Sequence, residues 1–387
     1  MATPPRYSHI SVAIPLLAEK QNLLPLLSRF RCQTFSNFTL YLCVNNVEKG
    51  YGYDENQESL HLLRSISDLP LSIIDRSSHG LGWTGKRKGV GWARKLLFER
   101  ISNEHDGNEL IISLDADTDF DNNYLEAVLH TMNTFPSANA FAVPYYHPLS
   151  GIETLDRPML RYECYMRHYL INLLLINNPY AFSALGSAIA FPLWAYRRVG
   201  GITPLQGGED FYLLQKFAKT GTIRQLFSPY SSITVRPQGR ASSRVPFGTG
   251  PAIASGIDEM DLRYPFYLPE AFQAIHDTYN AFPALFHHDI ETPMSSFLRQ
   301  QLGTSDLWSP LRRNFHSPDL FIHACTERVD GLRILQFIKN NPSYRMSTSQ
   351  LPVDFRRDSI ETLNSYRDQL FHQEMELKQK NQTPSIQ

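Results

Sequence analysis

The feature that most constrains the fold is a near-continuous apolar run, residues 110–114, that ends in Asp115-Ala-Asp117-Thr-Asp119. A short run of this kind, without polar alternation, reads as a strand covered on both faces, as in a parallel sheet wrapped by helices. Ligands in such folds sit beyond the carboxyl ends of the strands, which is where these carboxylates are delivered. A Mg²⁺ or Mn²⁺ ion held by one or two carboxylates keeps its other positions for water and phosphate oxygens. Asp115 and Asp117 therefore point to metal-assisted chemistry on a nucleotide diphosphate.

The rest of the first half repeats the alternation. Residues 9–14, 38–44 and 71–74 read as further strands, and residues 23–31 and 88–100 as helices. Strand and helix in alternation predict an α/β domain over residues 1–257, built on a mostly parallel sheet flanked by helices. From residue 258 to 375 the pattern changes to helices separated by Pro-containing turns, which predicts a smaller, mainly helical C-terminal part. Residues 376–387 are polar without periodic apolar positions and read as a frayed tail.

The acidic loop has two competing readings. Asp115, Asp117 and Asp119 with Glu126 match most of an EF-hand loop, but Phe120 stands where the sharp turn requires Gly, and a strand precedes it. The other is a solvated loop capping a helix that starts near residues 122–124.

Three further segments carry candidate chemistry. Gly80-Leu-Gly82-Trp-Thr-Gly85-Lys86 is a Gly-rich turn inside a basic island, suited to presenting N–H groups and the Lys86 ammonium to an anion; an ordinary basic helix face is the alternative. Glu209 and Asp210 stand at a helix start, where one can act as a general base if partly buried beside the other; simple capping explains the same placement. Residues 211–257 hold no acid, while Arg236, Arg240 and Arg244 recur every fourth position on a Gly/Pro-rich segment that can fold over a diphosphate. A solvated arginine loop is the plain alternative. His316, Asp319, His323 and Glu327 read as a solvated helix face rather than a metal site.

Composition removes other classes. With 37 basic and 38 acidic side chains the net charge is −1, so nucleic acid is not an expected partner. Four scattered cysteines, Cys32, Cys43, Cys164 and Cys325, form neither a zinc motif nor a disulfide framework, which fits a reducing compartment. The N-terminus lacks the build of a secretion signal, and no run reaches the roughly 18 apolar residues needed to span a bilayer. A cytoplasmic protein without an integral membrane segment is expected. The most apolar stretch, residues 169–176, reads as a buried helix, with peripheral membrane contact as its alternative.

In chain order the pieces resemble the family-2 glycosyltransferases of the GT-A fold, enzymes that use nucleotide-sugar donors. The resemblance rests on Ser11-Val-Ala-Ile-Pro15 with Glu19, the basic Gly-containing lead-in, Leu114-Asp-Ala-Asp117, Gly186-Ser187, Arg198-Val-Gly-Gly201 and Gly208-Glu-Asp210, and spans residues 10–250. It implies that the first strand, through Pro15 and Glu19, and the Asp-x-Asp loop hold the nucleotide. It implies that Asp117 coordinates Mn²⁺ or Mg²⁺, and that Asp210 is the base of an inverting displacement. Where relatives carry an acid after the second strand, this chain has Asn45-Asn46, which implies a neutral contact to the nucleotide. Gln238-Gly-Arg240 lacks the Trp typical of sugar-polymerising members. The acceptor, a glycan, a lipid-linked sugar or a small molecule, is not legible; the aromatic segment from Tyr145 through Arg161, Tyr165 and His168 is the place to expect it, or else plain packing. A sugar-phosphate nucleotidyltransferase and an inactive GT-A-like binding protein are the alternative functions.

Overall fold

The computed structural model describes residues 6–225, 234–240 and 248–382. The strands are β1 (Ile10–Leu16), β2 (Phe38–Asn45), β3 (Leu71–Arg76), β4 (Leu110–Ser113), β5 (Thr118–Asp119), β6 (Ala140–Ala142), β7 (Ile189–Pro192), β8 (Ile223–Gln225) and β9 (Arg236–Pro237). Helices α1 (Lys20–Arg31), α2 (Tyr53–Ser65), α3 (Val90–Glu104), α4 (Tyr124–Thr134), α5 (Glu153–Leu175), α6 (Leu193–Arg198), α7 (Glu209–Thr220) and α8 (Thr249–Arg263) accompany them.

Seven strands form one sheet in the order β3-β2-β1-β4-β7-β6-β8. β3, β2, β1 and β4 are mutually parallel, and β7 alone runs against its neighbours β4 and β6. Every residue of β1 and β4 is buried, as two-sided cover by helices requires, whereas edge strand β3 is half-buried throughout. The mostly parallel sheet flanked by helices, with a helical C-terminal part, agrees with the expectation from the sequence.

Chain order reverses direction at β1, with β2 on one side and β4 on the other. Such a switch point opens a crevice at the carboxyl ends of the strands. Pro15 and Glu19 leave β1 there, and Asp115 and Asp117 leave β4.

Two compact units divide the chain. One runs to Met159 and resumes from Phe182 to Gly256; the other takes Leu160–Ala181 and continues from Ile257. α5 begins in the first and ends in the second, and α8 is kinked at Gly256, whose φ of 70° only glycine adopts readily.

The second unit contains α9 (Pro269–Asn280), α10 (Phe282–Leu285), α11 (Ser295–Leu302), α12 (Ser309–Asn314), α13 (Pro318–Arg328), α14 (Gly331–Lys339) and α15 (Ile360–Gln382). The tail expected from residue 376 is therefore helical as far as Gln382. Its anchor is electrostatic: buried Lys378 donates to Glu374 at 2.5 Å, and Glu374 accepts from Arg167 at 2.6 Å. A periodicity search for apolar residues misses a helix whose buried positions are charged. Among residues 169–176, Leu170, Ile171, Leu173 and Leu174 are buried in α5. Among the described residues no helix is long and apolar enough to cross a membrane.

Candidate active site

One buried arginine organises the site. Arg94, in the first turns of α3, is 4% exposed and forks between two elements far apart in sequence. Its Nη2 donates to Asp115 Oδ1 at 2.6 Å, and its Nη1 donates to Glu209 Oε1 at the start of α7. Burial opposes its charge, but Asp115, Glu209 and Asp210 outweigh that and hold the guanidinium firmly protonated. Space for it comes from Gly186, where a Cβ would lie 2.1 Å from Arg94 Nη2. Gly91 serves the same assembly, since a Cβ there would lie 2.2 Å from the Leu205 carbonyl oxygen of the loop leading to Glu209.

Asp117 belongs to a second ion-paired group. Arg240 Nη2 donates to Asp117 Oδ2 at 2.7 Å and to Glu19 Oε1 at 2.8 Å. Burial first, then the Asp115 charge, raises the Asp117 carboxyl to about 6 despite Arg240. The arginine segment is fixed to the acidic loop by a two-strand ladder, in which Thr118 pairs with Pro237 and Asp119 with Arg236, and the Gln238 N–H donates to the Asp117 carbonyl. Arg236 reaches Asp119 at 3.1 Å and Asp121 at 2.8 Å, while Arg29 lies 2.5 Å from Asp119. With Asp119 so engaged, the EF-hand reading fails. The capping reading gains no cap bond: α4 starts at Tyr124, and the side chain of its N-cap, Asn123, makes none.

Asp210 is half-buried, and its Oδ1 accepts the Phe211 N–H at 2.7 Å. Burial, then the neighbouring Glu209 charge, raises its carboxyl to about 7, with Arg94 pulling the other way. Glu209 is buried and turned toward Arg94. It is thus bonded to the arginine that reaches Asp115, whereas Asp210 makes no bond to Arg94.

Other expected residues lie differently. Asn45 and Asn46 are 3% and 2% exposed. Asn45 donates to the Leu16 carbonyl and accepts from Trp83 Nε1; Asn46 donates to the Val47 carbonyl and accepts from Asn56. Their amides brace the ends of β1 and β2 and are spent internally, so the neutral nucleotide contact implied for them does not match this geometry. The Gly-rich turn is also partly occupied: Glu48 accepts the N–H groups of Gly80 at 3.1 Å and Gly82 at 3.0 Å. A carboxylate of the protein already fills that anion cradle. Lys86 is exposed, and Pro15 is buried in β1. Arg244 lies outside the described residues. Tyr162 and Tyr165 pack on Tyr264 at centroid distances of 4.8 and 5.5 Å, and Arg161 lies over Phe266, so these members of the aromatic segment are packing residues.

The chemistry of the donor set fits a hard divalent cation. Five carboxylates, from Glu19, Asp115, Asp117, Glu209 and Asp210, face the two guanidinium groups of Arg94 and Arg240. Asp115 Oδ2 and Asp117 Oδ1 take no part in those bonds, and oxygen ligands suit Mg²⁺ and Mn²⁺. Reading the sequence for motifs missed Arg94, which looks like one more member of a basic helix; the signal available was its position before a carboxylate-bearing strand.

No protein-family model matches the chain, and no curated protein sequence matches it. Among solved structures it is similar to residues 1–349 of S. aureus TarS in complex with UDP-GlcNAc, with a TM-score of 0.43 and 12% identity over 96% of this chain and 91% of that one. It is also similar to the mannosyltransferase PcManGT from Pyrobaculum calidifontis in complex with GDP-Man and Mn²⁺, with a TM-score of 0.39 and 11% identity over 100% of this chain and 90% of that one. Both likenesses are remote, and the reading of the site rests on its own geometry.

Proposed function

We propose that the chain is a glycosyltransferase of the inverting, metal-dependent kind, moving a sugar from a nucleotide-diphosphate donor to an acceptor hydroxyl. The observation that carries the reading is the Arg94 fork. It joins Asp115, beyond the central strand β4, to the Glu209-Asp210 pair, and so sets a proton acceptor beside a cation-binding carboxylate pair at the switch point.

Asp115 and Asp117 would hold a Mn²⁺ or Mg²⁺ ion. When bound, such an ion supplies charge neutralisation for a departing diphosphate. Arg240, and Arg236 on the same segment, bring further positive charge to that side of the crevice, which stabilises an anion as it leaves. Asp210 serves as the base that takes the acceptor hydroxyl proton. Its carboxyl, raised to about 7, combines useful basicity with ionisation near neutral pH. Glu209, bonded to Arg94, holds the start of α7, where Asp210 stands, close to Asp115.

A thermal-shift panel of UDP-, GDP- and dTDP-sugars with and without Mn²⁺ tests this, because a ligand of the native state raises apparent stability. A metal-dependent upward shift with one donor class, lost in Asp117→Ala, is expected. Failure of every donor to shift the protein in either condition would remove the reading.

A further inference from the structure

The opposite end of the same central strands carries a second cluster of metal-ligand groups. His9 precedes β1 and Glu109 precedes β4, and these strands pair in parallel from Ile10 and Leu110. The pair therefore lies at the amino ends of the strands, whereas Asp115 and Asp117 lie at the carboxyl ends. His105, just beyond α3, completes the group, with one ligand atom of each residue within 4.8 Å of the others. His9 Nδ1 is 2.7 Å from Glu109 Oε1, and His105 Nδ1 is 3.3 Å from Glu109 Oε2. Four-coordinate zinc with ligand bonds near 2.0 Å needs its ligand atoms about 3.3 Å apart.

The hydrogen bonds around the cluster leave its inner face rich in lone pairs. Tyr41 has one hydroxyl proton, donated to Glu104 Oε2 at 2.9 Å. Its oxygen therefore accepts from His105 Nε2 at 2.8 Å, which leaves Nδ1 of the neutral ring as an acceptor. That acceptor faces a carboxylate oxygen at 3.3 Å, an arrangement that a metal ion or a proton between them satisfies. His9 Nε2 has the Thr39 hydroxyl at 3.1 Å, so this ring too can place its proton outward and its lone pair toward Glu109. Ser11 Oγ donates to Glu109 Oε1 at 2.7 Å and orients the carboxylate. Outer hydroxyl or carboxylate partners that fix the tautomer are the usual support of metal-binding histidines. The histidine side chains are 23% and 25% exposed, which leaves an approach from solvent, while Glu109 is 6% exposed. Other charges nearby are already paired: Arg100 binds Glu104, and Arg197 donates to the backbone carbonyls of Ser102 and His105.

We propose that His9, His105 and Glu109 form a site for a zinc-class divalent ion, separate from the carboxylate site at the carboxyl ends of the strands. Two imidazoles and one carboxylate, with a remaining position for water, suit Zn²⁺ or Co²⁺ over Mg²⁺. Bound there, the ion ties the entrances of β1 and β4 to the end of α3. The proton is its competitor, since an imidazolium at His105 satisfies the same geometry.

The test is titration of the metal-free full-length protein with Co²⁺ in excess Mg²⁺, followed by displacement with Zn²⁺. One equivalent of Co²⁺ is expected to bind with the visible absorption of a four-coordinate site, and Zn²⁺ is expected to abolish that spectrum. Asp117→Ala should leave the spectrum intact, and His105→Ala should remove it. Tyr41→Phe, a milder change, should weaken Zn²⁺ binding by roughly tenfold by releasing the His105 tautomer. Absence of any Co²⁺ spectrum in the wild type would leave the cluster a proton-bridged ion pair and overturn the proposal. So would a spectrum that survives in folded His9→Gln and His105→Ala, or one lost in Asp117→Ala.

Discussion

A Cβ on Gly186 would lie 2.1 Å from Nη2 of Arg94, so the glycine exists to make room for the guanidinium. Substituting Gly186→Ala drives Arg94 out of its fork and leaves Glu209 buried without its cation. Overpacking of this kind costs about 1–3 kcal/mol. Urea denaturation should show that loss. Transfer, assayed with the donor found in the thermal-shift panel, should fall by at least about tenfold, since misplacing a catalytic group by an ångström costs up to about a hundredfold. Full activity in Gly186→Ala would show that the fork does not position Asp210.

Arg240 pairs with both Asp117 and Glu19. A divalent ion must therefore compete with a guanidinium for Asp117. Arg240→Ala is expected to bind Mn²⁺ alone more tightly, about threefold or more by electron paramagnetic resonance. The same variant should bind the nucleotide-sugar roughly tenfold more weakly, because a charged hydrogen bond contributes about 1.5–3 kcal/mol. Weaker Mn²⁺ binding in the variant would show that Arg240 does not compete with the ion.

Partial burial, then the neighbouring Glu209 charge, raises the Asp210 carboxyl from its ordinary 3.8 to about 7. As a base it must be ionised, so kcat/KM is expected to fall about tenfold per pH unit below about 7. Stability runs the opposite way. Between about 4 and 7 the native state keeps a proton that the unfolded chain has released, so this group's contribution to stability declines as pH rises through that window. Asp210→Asn should therefore melt above the wild type at pH 8, with the gap narrowing toward pH 4, while transfer is abolished. A pH-independent gap would exclude the raised carboxyl.

Lys378 and Glu374 are buried together at the end of α15, with Arg167 on the other side of the carboxylate. Removing the lysine leaves a buried carboxylate with half its cover. Lys378→Met should cost about 1–3 kcal/mol, read from chemical denaturation. No change would restore the frayed tail that composition alone suggests for this segment.

The alternation of apolar strands with helices was enough to predict the α/β class, and the acidic run after residues 110–114 pointed to the carboxyl ends of the strands, because strand burial and the direction of a parallel sheet are local consequences of an apolar run and its connections. Asp115, Asp117, Glu209 and Asp210 stood out as candidates for the same reason: each carries its chemistry in its type and stands at the start or end of a predicted element. Tertiary structure alone decided how they are used. Arg94 looked like part of a basic helix face and Arg240 like an arginine free to fold over a diphosphate, yet each is held between carboxylates brought in from distant segments. Asn45, Asn46 and the Gly80–Gly82 N–H groups had the right composition for a ligand but are spent on neighbours of the same chain. The helix through Lys378 and the His9, His105, Glu109 cluster escaped notice because their logic is pairwise. A charge or an imidazole is ambiguous until its partner is known, and partners separated by some hundred residues along the chain meet only when the sheet has been assembled.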